Sequence, residues 1–179
     1  FRRVLFRSDM VKTCLRQGTG FGIVMITEGN QILRDSEEQL PEVSQCGTYC
    51  TIVDFDQLPN GMLSIMIEGQ KKFVIRDHYE QADRLMLGDV EFLAFEEQVP
   101  VPEEREHLSS LLESLMSHEA VQRLGLVCDL GQAVEVGARL TELLPCPNHF
   151  KQRMLEMKDP LVRLSELDKL VERIQKTSE

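Results

Sequence analysis

Residues 51–68 read TIVDFDQLPNGMLSIMIE, and this stretch decides the fold. The pair Asn60-Gly61 tolerates the positive φ angles of a tight turn, and apolar runs lie on both sides of it. After the turn, apolar side chains occupy alternate positions at Leu63, Ile65 and Ile67. The stretch therefore predicts an antiparallel β-hairpin whose second strand has one apolar face.

Further strands are predicted on both sides of this hairpin. The first strand of the hairpin is predicted over residues 46–58. The other β-rich runs cover residues 20–27, a segment from Phe73 onward, and 85–95. The first run is apolar and lies between glycines, which predicts a buried strand. Gly69 and Gln70 predict a break in the strand that follows the hairpin turn, and the polar residues 29–45 predict an exposed loop.

The chain changes character after a proline-bracketed linker at residues 99–102. Beyond it, apolar residues recur at helical spacing, which predicts helices at residues 108–116, 134–144, 149–157 and from Asp159-Pro160 onward. Near the start of the chain, residues 9–16 predict one more helix, with Gly18 as its C-cap. Strands followed by helices indicate the α+β class, with a β-rich part at residues 9–98 and a helical part at residues 99–179.

The first eight residues, FRRVLFRS, differ from the rest of the chain. They hold three basic residues and show no regular apolar period. They also match one reading frame of a common sequencing adapter. We therefore expect residues 1–8 to be adapter-derived and not native, with a natural basic amphipathic start as the alternative.

The charge balance narrows the classes of partner. The chain has 20 Lys and Arg against 30 Asp and Glu, for a formal net charge of −10. Proteins that bind nucleic acid or anionic membranes normally carry a basic face, so neither partner is expected. No segment resembles a leader or a membrane span. Five widely spread cysteines, an odd number, favour reduced thiols and a cytoplasmic location.

The sequence contains no recognisable catalytic or cofactor motif. The glycine-rich residues 18–22 follow a predicted helix and precede a strand, which is the wrong order for a phosphate-binding loop. Cys46 and Cys50 lie in a predicted strand and favour buried thiols over a zinc site. None of the four histidines lies in a metal-binding motif. We therefore predict no catalytic, cofactor or metal site.

Two features suggest binding. Met62 and Met66 lie on the less apolar face of the strand after the turn, and methionine adapts its shape to varied apolar partners. The alternative is that both residues pack inside a closed barrel. The last predicted helix has a stripe that either seals the helical part or forms a short coiled-coil seam: Leu164, Leu167, Val171 and Ile174.

The hairpin also carries a family resemblance. Residues 54–63, DFDQLPNGML, and residues 67–73, IEGQKKF, resemble the amino-terminal substrate-recognition domain of Lon proteases, and in particular small stand-alone proteins with only this domain. Agreement continues at residues 9–24, 47–52 and in parts of 143–164. The resemblance spans about residues 9–173, and it implies a PUA-like antiparallel β-barrel followed by a carboxy-terminal helical bundle.

Two departures from the family bear on the site. The Leu-Pro-Leu-Phe-Pro-like opening of the family is missing, so we expect a barrel that is truncated at its amino terminus and has an unpaired edge. The family often has Arg before the Phe of the post-hairpin strand, where this chain has Lys72 before Phe73. Lysine lacks the planar fork of arginine. The candidate binding residues are Met62, Met66, Lys72 and Phe73.

The resemblance implies a non-catalytic module that binds unfolded or tagged polypeptides, with a separate protease as a further partner. Apolar contacts on the barrel or in the groove between barrel and bundle would hold the polypeptide. Three alternatives remain: a fragment of an ATP-dependent Lon-type serine protease, a cryptic cysteine hydrolase, and an RNA-binding PUA-like domain. The ATPase and Ser-Lys peptidase domains of Lon enzymes have no counterpart in this sequence, and the acidic charge opposes RNA binding.

Overall fold

The computed structural model describes residues 8–29, 41–57 and 63–177. The chain divides into two compact units, Phe1–Ala94 and Phe95–Glu179. In the described ranges, no helix has the length and apolar character needed to cross a membrane. Three predictions fall wholly or mostly outside the described residues. They concern the octapeptide at residues 1–8, expected to be adapter-derived, the Asn60-Gly61 turn, and Met62.

The first unit is a helix followed by a four-stranded antiparallel sheet with the strand order β1-β2-β3-β4. Its elements are α1 (Ser8–Gln17), β1 (Phe21–Glu28), β2 (Glu42–Gln57), β3 (Leu63–Glu80) and β4 (Met86–Phe92). Strands β2 and β3 pair up to Gln57 and Leu63, as expected for the predicted hairpin. The strand predicted to be buried at residues 20–27 is instead β1 at one side of the sheet, where only Phe21 is buried.

Two further strand predictions are wrong. Strand β2 begins at Glu42, so the predicted loop ends earlier than residue 45. Strand β3 continues through Gly69 and Gln70 without the predicted break. Gly69 pairs with Cys50 and Lys71 pairs with Tyr49, which leaves Gln70 as the extra residue of a β-bulge. A bulge lets a strand contain a glycine without ending.

The link from α1 to β1 is fixed by local hydrogen bonds. Gly18 has a φ of +64°, and the amide of Thr19 donates to the carbonyl of Cys14 at 3.0 Å. This is the glycine C-cap that the sequence predicts. The amide of Gly20 then donates to the hydroxyl of Tyr49 at 2.7 Å, which ties the start of β1 to β2.

Phe73 forms the centre of packing within the sheet. The residue is only 4% exposed. A β-carbon placed on Gly47 would lie 2.6 Å from the Phe73 ring, and one placed on Gly22 would lie 2.8 Å from it. Since β-carbons do not approach that closely, the ring depends on glycine at both positions. The other buried apolar residues of this unit are Val11, Cys14, Phe21, Cys46 and Cys50.

The second unit is helical. A 3₁₀ turn (Glu103–Arg105) leads into α2 (Glu106–Met116), α3 (Glu119–Gln122), α4 (Ala133–Leu143), α5 (Asn148–Glu156) and α6 (Pro160–Thr177). The α+β prediction is confirmed, and the predicted helices match α2, α4, α5 and α6 closely. The short α3 is not foreseen. The core contains Leu108, Leu112, Ala133, Val136, Leu140, Leu144, Met154, Leu164, Leu167 and Val171. The α6 stripe therefore helps to seal the helical unit.

The predicted linker at residues 99–102 is part of the helical unit. The amide of Ala133 donates to the carbonyl of Val99 at 2.8 Å, and the amide of Val101 donates to the carbonyl of Gly131 at 2.9 Å. Pro100 and Gln132 form an isolated β-bridge between these two bonds. These bonds hold the segment against the start of α4.

A buried arginine fastens the start of the helical unit to its end. Arg163 is 3% exposed. Its guanidinium donates to both carboxylate oxygens of Glu96 at 2.7 Å, to the carbonyl of Met154 at 2.9 Å and to the carbonyl of Met157. The fork therefore binds a carboxylate and completes the end of α5 at once.

Replacing Arg163 should destabilise the helical unit far more than replacing an exposed arginine. Arg163→Ala removes the guanidinium from the Glu96 carboxylate, whose side chain is only 13% exposed, and we expect a loss of about 3–5 kcal/mol in the free energy of unfolding. Arg153→Ala is the matched control, because Arg153 forms an exposed pair with Glu166 and should contribute below about 1 kcal/mol. Urea unfolding followed by circular dichroism measures both, and equal losses would contradict the role of Arg163.

A methyl group at Gly47 should disturb the sheet. Gly47→Ala pushes the new β-carbon into Phe73 and Val24, and we expect a loss of about 1–3 kcal/mol in unfolding free energy. Gly88→Ala is the control, because its nearest neighbour, the carbonyl oxygen of Asp77, is 3.4 Å away. Urea unfolding, with hydrogen exchange measured at individual amides of β2, distinguishes the two variants. If both variants unfold at the same urea concentration as the parent, the packing of Phe73 does not depend on glycine at position 47.

Candidate functional site

The two central strands extend beyond their neighbours. Strands β2 and β3 have 16 and 18 residues, against 8 for β1 and 7 for β4. Pairing of β1 with β2 stops at Phe21 and Cys50, and pairing of β4 with β3 stops at Phe92 and Phe73. In the described ranges, residues 51–57 and 63–68 therefore pair only with each other. We call this two-stranded extension the arm.

One face of the arm is apolar. Ile52 pairs with Ile67 and Phe55 pairs with Ile65, and residues that pair across strands share a face. Leu63 lies on the same face by alternation along β3. Phe55 is 58% exposed and Leu63 is 39% exposed, while the three isoleucines are partly buried. An apolar row with exposed members thus follows this side of the arm.

The opposite face of the arm is acidic. Asp54 pairs with Met66, Asp56 with Ser64, and Thr51 with Glu68. Met66 is 44% exposed, so its thioether lies in water with carboxylates around it. Asp54 and Asp56 each accept a hydrogen bond from the amide of the following residue, at 2.9 and 2.8 Å. These bonds fix the two carboxylates close to the backbone.

The arm has the properties of a binding surface. A two-stranded hairpin alone is at best marginally stable in water, and the arm lacks sheet neighbours among the described strands. Exposed apolar side chains that form a contiguous row usually mark a place where another molecule binds. An extended polypeptide laid on the apolar face would cover Phe55 and Leu63.

The structure separates the four candidate binding residues. Met66 lies on the arm, whereas Phe73 is a buried ring in the four-stranded part, about 20 Å along β3 at the usual rise per residue. Lys72 pairs with Thr48, and its carbonyl accepts the amide of Leu93 at 2.9 Å. Paired positions place Lys72 on the face opposite Phe73. Met62 is outside the described residues, so no single cluster contains all four.

Phe55 is an exposed residue of the arm that the sequence pattern does not reveal. An aromatic residue in a strand is typical of a core, and its own run of sequence does not show exposure. Its position becomes clear only when β2 and β3 are seen to be about twice as long as β1 and β4. The predicted break at Gly69 hides this difference, because it shortens β3.

The surroundings of three of the five cysteines argue against an activated thiol. Burial raises the pKa of Cys50 to about 11. Burial also raises the pKa of Cys128, with Glu135 adding to the effect, and it raises the pKa of Cys146. A nucleophilic cysteine needs a lowered pKa. Across the described residues, no group of three or more His, Cys, Asp and Glu residues could hold a metal ion.

A groove of about 390 Å³ lies along α2 in the helical unit. The hydroxyls of its two serines donate to backbone carbonyls: Ser109 to Leu130 at 2.9 Å and Ser110 to Glu106 at 3.3 Å. Val101 and Leu130 form apolar parts of its wall. The serines therefore support local structure and are not arranged as nucleophiles.

A family model described as the ATP-dependent protease La (LON) substrate-binding domain matches residues 6–173. The chain belongs to this family. The resemblance that the hairpin residues carry is thereby confirmed, together with the fold class it implies. A comparison with curated proteins gives no match.

Two solved structures of Lon N-terminal domains are similar to this chain. The structure of a Lon N-terminal domain protein from Xanthomonas campestris is 27% identical, with a TM-score of 0.69, and the match covers 93% of this chain and 85% of that one. The N-terminal domain of a Mycobacterium avium complex Lon protease is 14% identical, with a TM-score of 0.49, and covers 83% and 88% of the two chains.

The thiols of this Lon substrate-binding domain should react in an order set by burial. At pH 8 we expect the partly exposed Cys128 and Cys146 to react with a small thiol reagent well before Cys50, since a pKa of about 11 leaves about one thiolate in a thousand at that pH. Mass spectrometry of timed, quenched samples identifies the labelled sites. Labelling of Cys50 as fast as Cys128 would contradict the assignment, and labelling in urea controls for reagent access.

Proposed function

We propose that this chain acts by binding polypeptides without catalysing their cleavage, and that the arm is the surface that holds them. The arm supplies the observation on which the proposal rests: exposed Phe55 and Leu63 in an apolar row that neither β1 nor β4 covers. The family is described as substrate-binding, and the substrates of a protease are polypeptides.

An extended conformation of the bound segment fits the arm best. Side chains along a strand alternate, so a polypeptide that lies along β3 can set every second side chain against Leu63, Ile65 and Ile67. Unfolded chains expose apolar side chains that folded proteins bury, which makes them suitable partners. Met66 offers an adaptable contact at the other side of the ribbon.

The competing functions receive less support. Raised pKa values at Cys50, Cys128 and Cys146 oppose a cysteine hydrolase. The net charge of −10 opposes RNA binding. We propose a cytoplasmic location, which the five widely spread cysteines favour. We also propose that bound polypeptides pass to a protease, because the family is described as the substrate-binding domain of an ATP-dependent protease.

Removing the Phe55 ring should weaken polypeptide binding. For Phe55→Ser we expect about tenfold weaker binding of a permanently unfolded, carboxymethylated model protein, because a large apolar contact is lost. Tyr79→Ser is the matched control: Tyr79 is an aromatic residue on the neighbouring strand, 53% exposed, at the end of β3 away from the arm. Fluorescence anisotropy of the labelled model protein gives the dissociation constants.

Three outcomes decide between the possibilities. Weaker binding by Phe55→Ser alone supports the proposed site. Equal weakening by both variants would remove the arm as the site. If the parent protein binds no unfolded polypeptide at all, the proposed function itself fails. Circular dichroism of each variant confirms that the fold is retained.

A further inference from the structure

We infer that the arm selects polypeptide segments in which apolar residues are flanked by lysine or arginine. This inference deepens the proposed function and rests on it, since it concerns which polypeptides the arm binds. The observation behind it is the distribution of charge along the arm, which is independent of the apolar row that suggests binding in the first place.

The arm has carboxylates and no basic residue. Across residues 51–69, the sequence contains Asp54, Asp56 and Glu68 and no Lys or Arg. In the described part of the chain, no ion pair joins a basic side chain to these three acids. Their charge is therefore available to a partner.

The nearest basic residues along the strand belong to the four-stranded part. The ammonium of Lys71 lies 5.8 Å from the centre of the Phe92 ring, over its face. The Phe92 ring in turn meets the Tyr49 ring edge to face, with centroids 5.7 Å apart. This stack holds Lys71 over the four-stranded part, because Tyr49 pairs with Gly22 and Phe92 pairs with Phe73 there.

The arm is thin enough for its two faces to act on one ligand. Neighbouring strands are about 4.8 Å apart, so two strands form a narrow ribbon. A lysine side chain can pack its methylene stem on apolar surface while its ammonium stays in water. A basic residue next to an apolar one can thus reach round the edge of the ribbon toward Asp54 or Asp56. Over such distances, interactions between exposed charges persist at low ionic strength and are screened by salt.

A second copy of this chain fits the arm less well. It would bring the same three acidic residues against each other, on a molecule whose formal net charge is already −10. Like charges in an interface disfavour association. An acidic polypeptide meets the same repulsion, whereas a basic apolar segment complements both the apolar row and the carboxylates.

Three peptides of one length and one set of apolar residues test the inference. They differ only in four flanking residues, which are Lys, Gln or Glu. We expect the Lys peptide to bind about three- to tenfold more tightly than the Gln peptide, and the Glu peptide to bind most weakly, because each exposed ion pair contributes little. The preference for Lys should shrink when NaCl is raised from 50 to 300 mM.

Matched charge variants locate the effect. The double variant Asp54→Asn, Asp56→Asn should lose most of the Lys preference while it still binds the Gln peptide. The control is Asp77→Asn, Asp89→Asn, which removes two aspartates that pair across β3 and β4, away from the arm, and changes the net charge equally. Asp77 also accepts the amide of its following residue, at 2.8 Å, as Asp54 and Asp56 do.

The outcomes separate the inference from the proposed function. If the parent protein binds none of the peptides, the proposed function fails. If it binds the Lys and Gln peptides equally, polypeptide binding stands and the inference is overturned. Loss of the Lys preference in the control pair as well would show that net charge, and not the arm, selects the ligand. Sedimentation velocity tests a second copy of the chain as the occupant. If the parent forms dimers and the arm variants do not, the arm binds a second copy, which would contradict the inference.

Discussion

The exposed apolar surface of the arm follows from the difference in length between the strands. Strands β2 and β3 continue past the last residues of β1 and β4, and a ribbon of two strands buries little apolar surface of its own. The exposed Phe55 and Leu63 follow from this geometry, since a third strand on either side would bring more cover. The apolar surface proposed to bind polypeptides is therefore a consequence of how far the central hairpin extends.

The rest of the first unit gives the arm a firm base. The Phe73 ring packs against Gly22 and Gly47, and Tyr49 bonds to the start of β1, so the four-stranded part is tightly fitted just where the arm leaves it. Binding surfaces are commonly drawn from the less stable parts of a protein, supported by a stable base. The helical unit has a separate apolar core, with Arg163 and Glu96 fastening its ends together.

Much of this architecture can be predicted from the sequence, because local patterns determine it. Helical spacing and prolines give α4, α5 and the start of α6 to within a residue, and Gly18 ends α1 as expected. The continuity of β3 cannot be read locally: Gly69-Gln70 indicates a break, but pairing with β2 absorbs the extra residue as a bulge. The exposure of Phe55 depends on where other strands end, which no local pattern contains. Phe73 has a place in the family motif, but its burial depends on glycines in two other strands.

Methyl NMR of the full chain tests whether the arm holds the polypeptide. Isoleucine, leucine and methionine methyl groups report on the arm through Ile52, Leu63, Ile65, Ile67 and Met66, and on the helical core through Leu108 and Leu164. We expect titration with an unfolded, carboxymethylated polypeptide to shift the arm methyl signals and to leave the helical-core signals in place. Arm signals that stay unchanged while the polypeptide binds, with shifts confined to the helical unit, would contradict the claim that the arm holds the polypeptide.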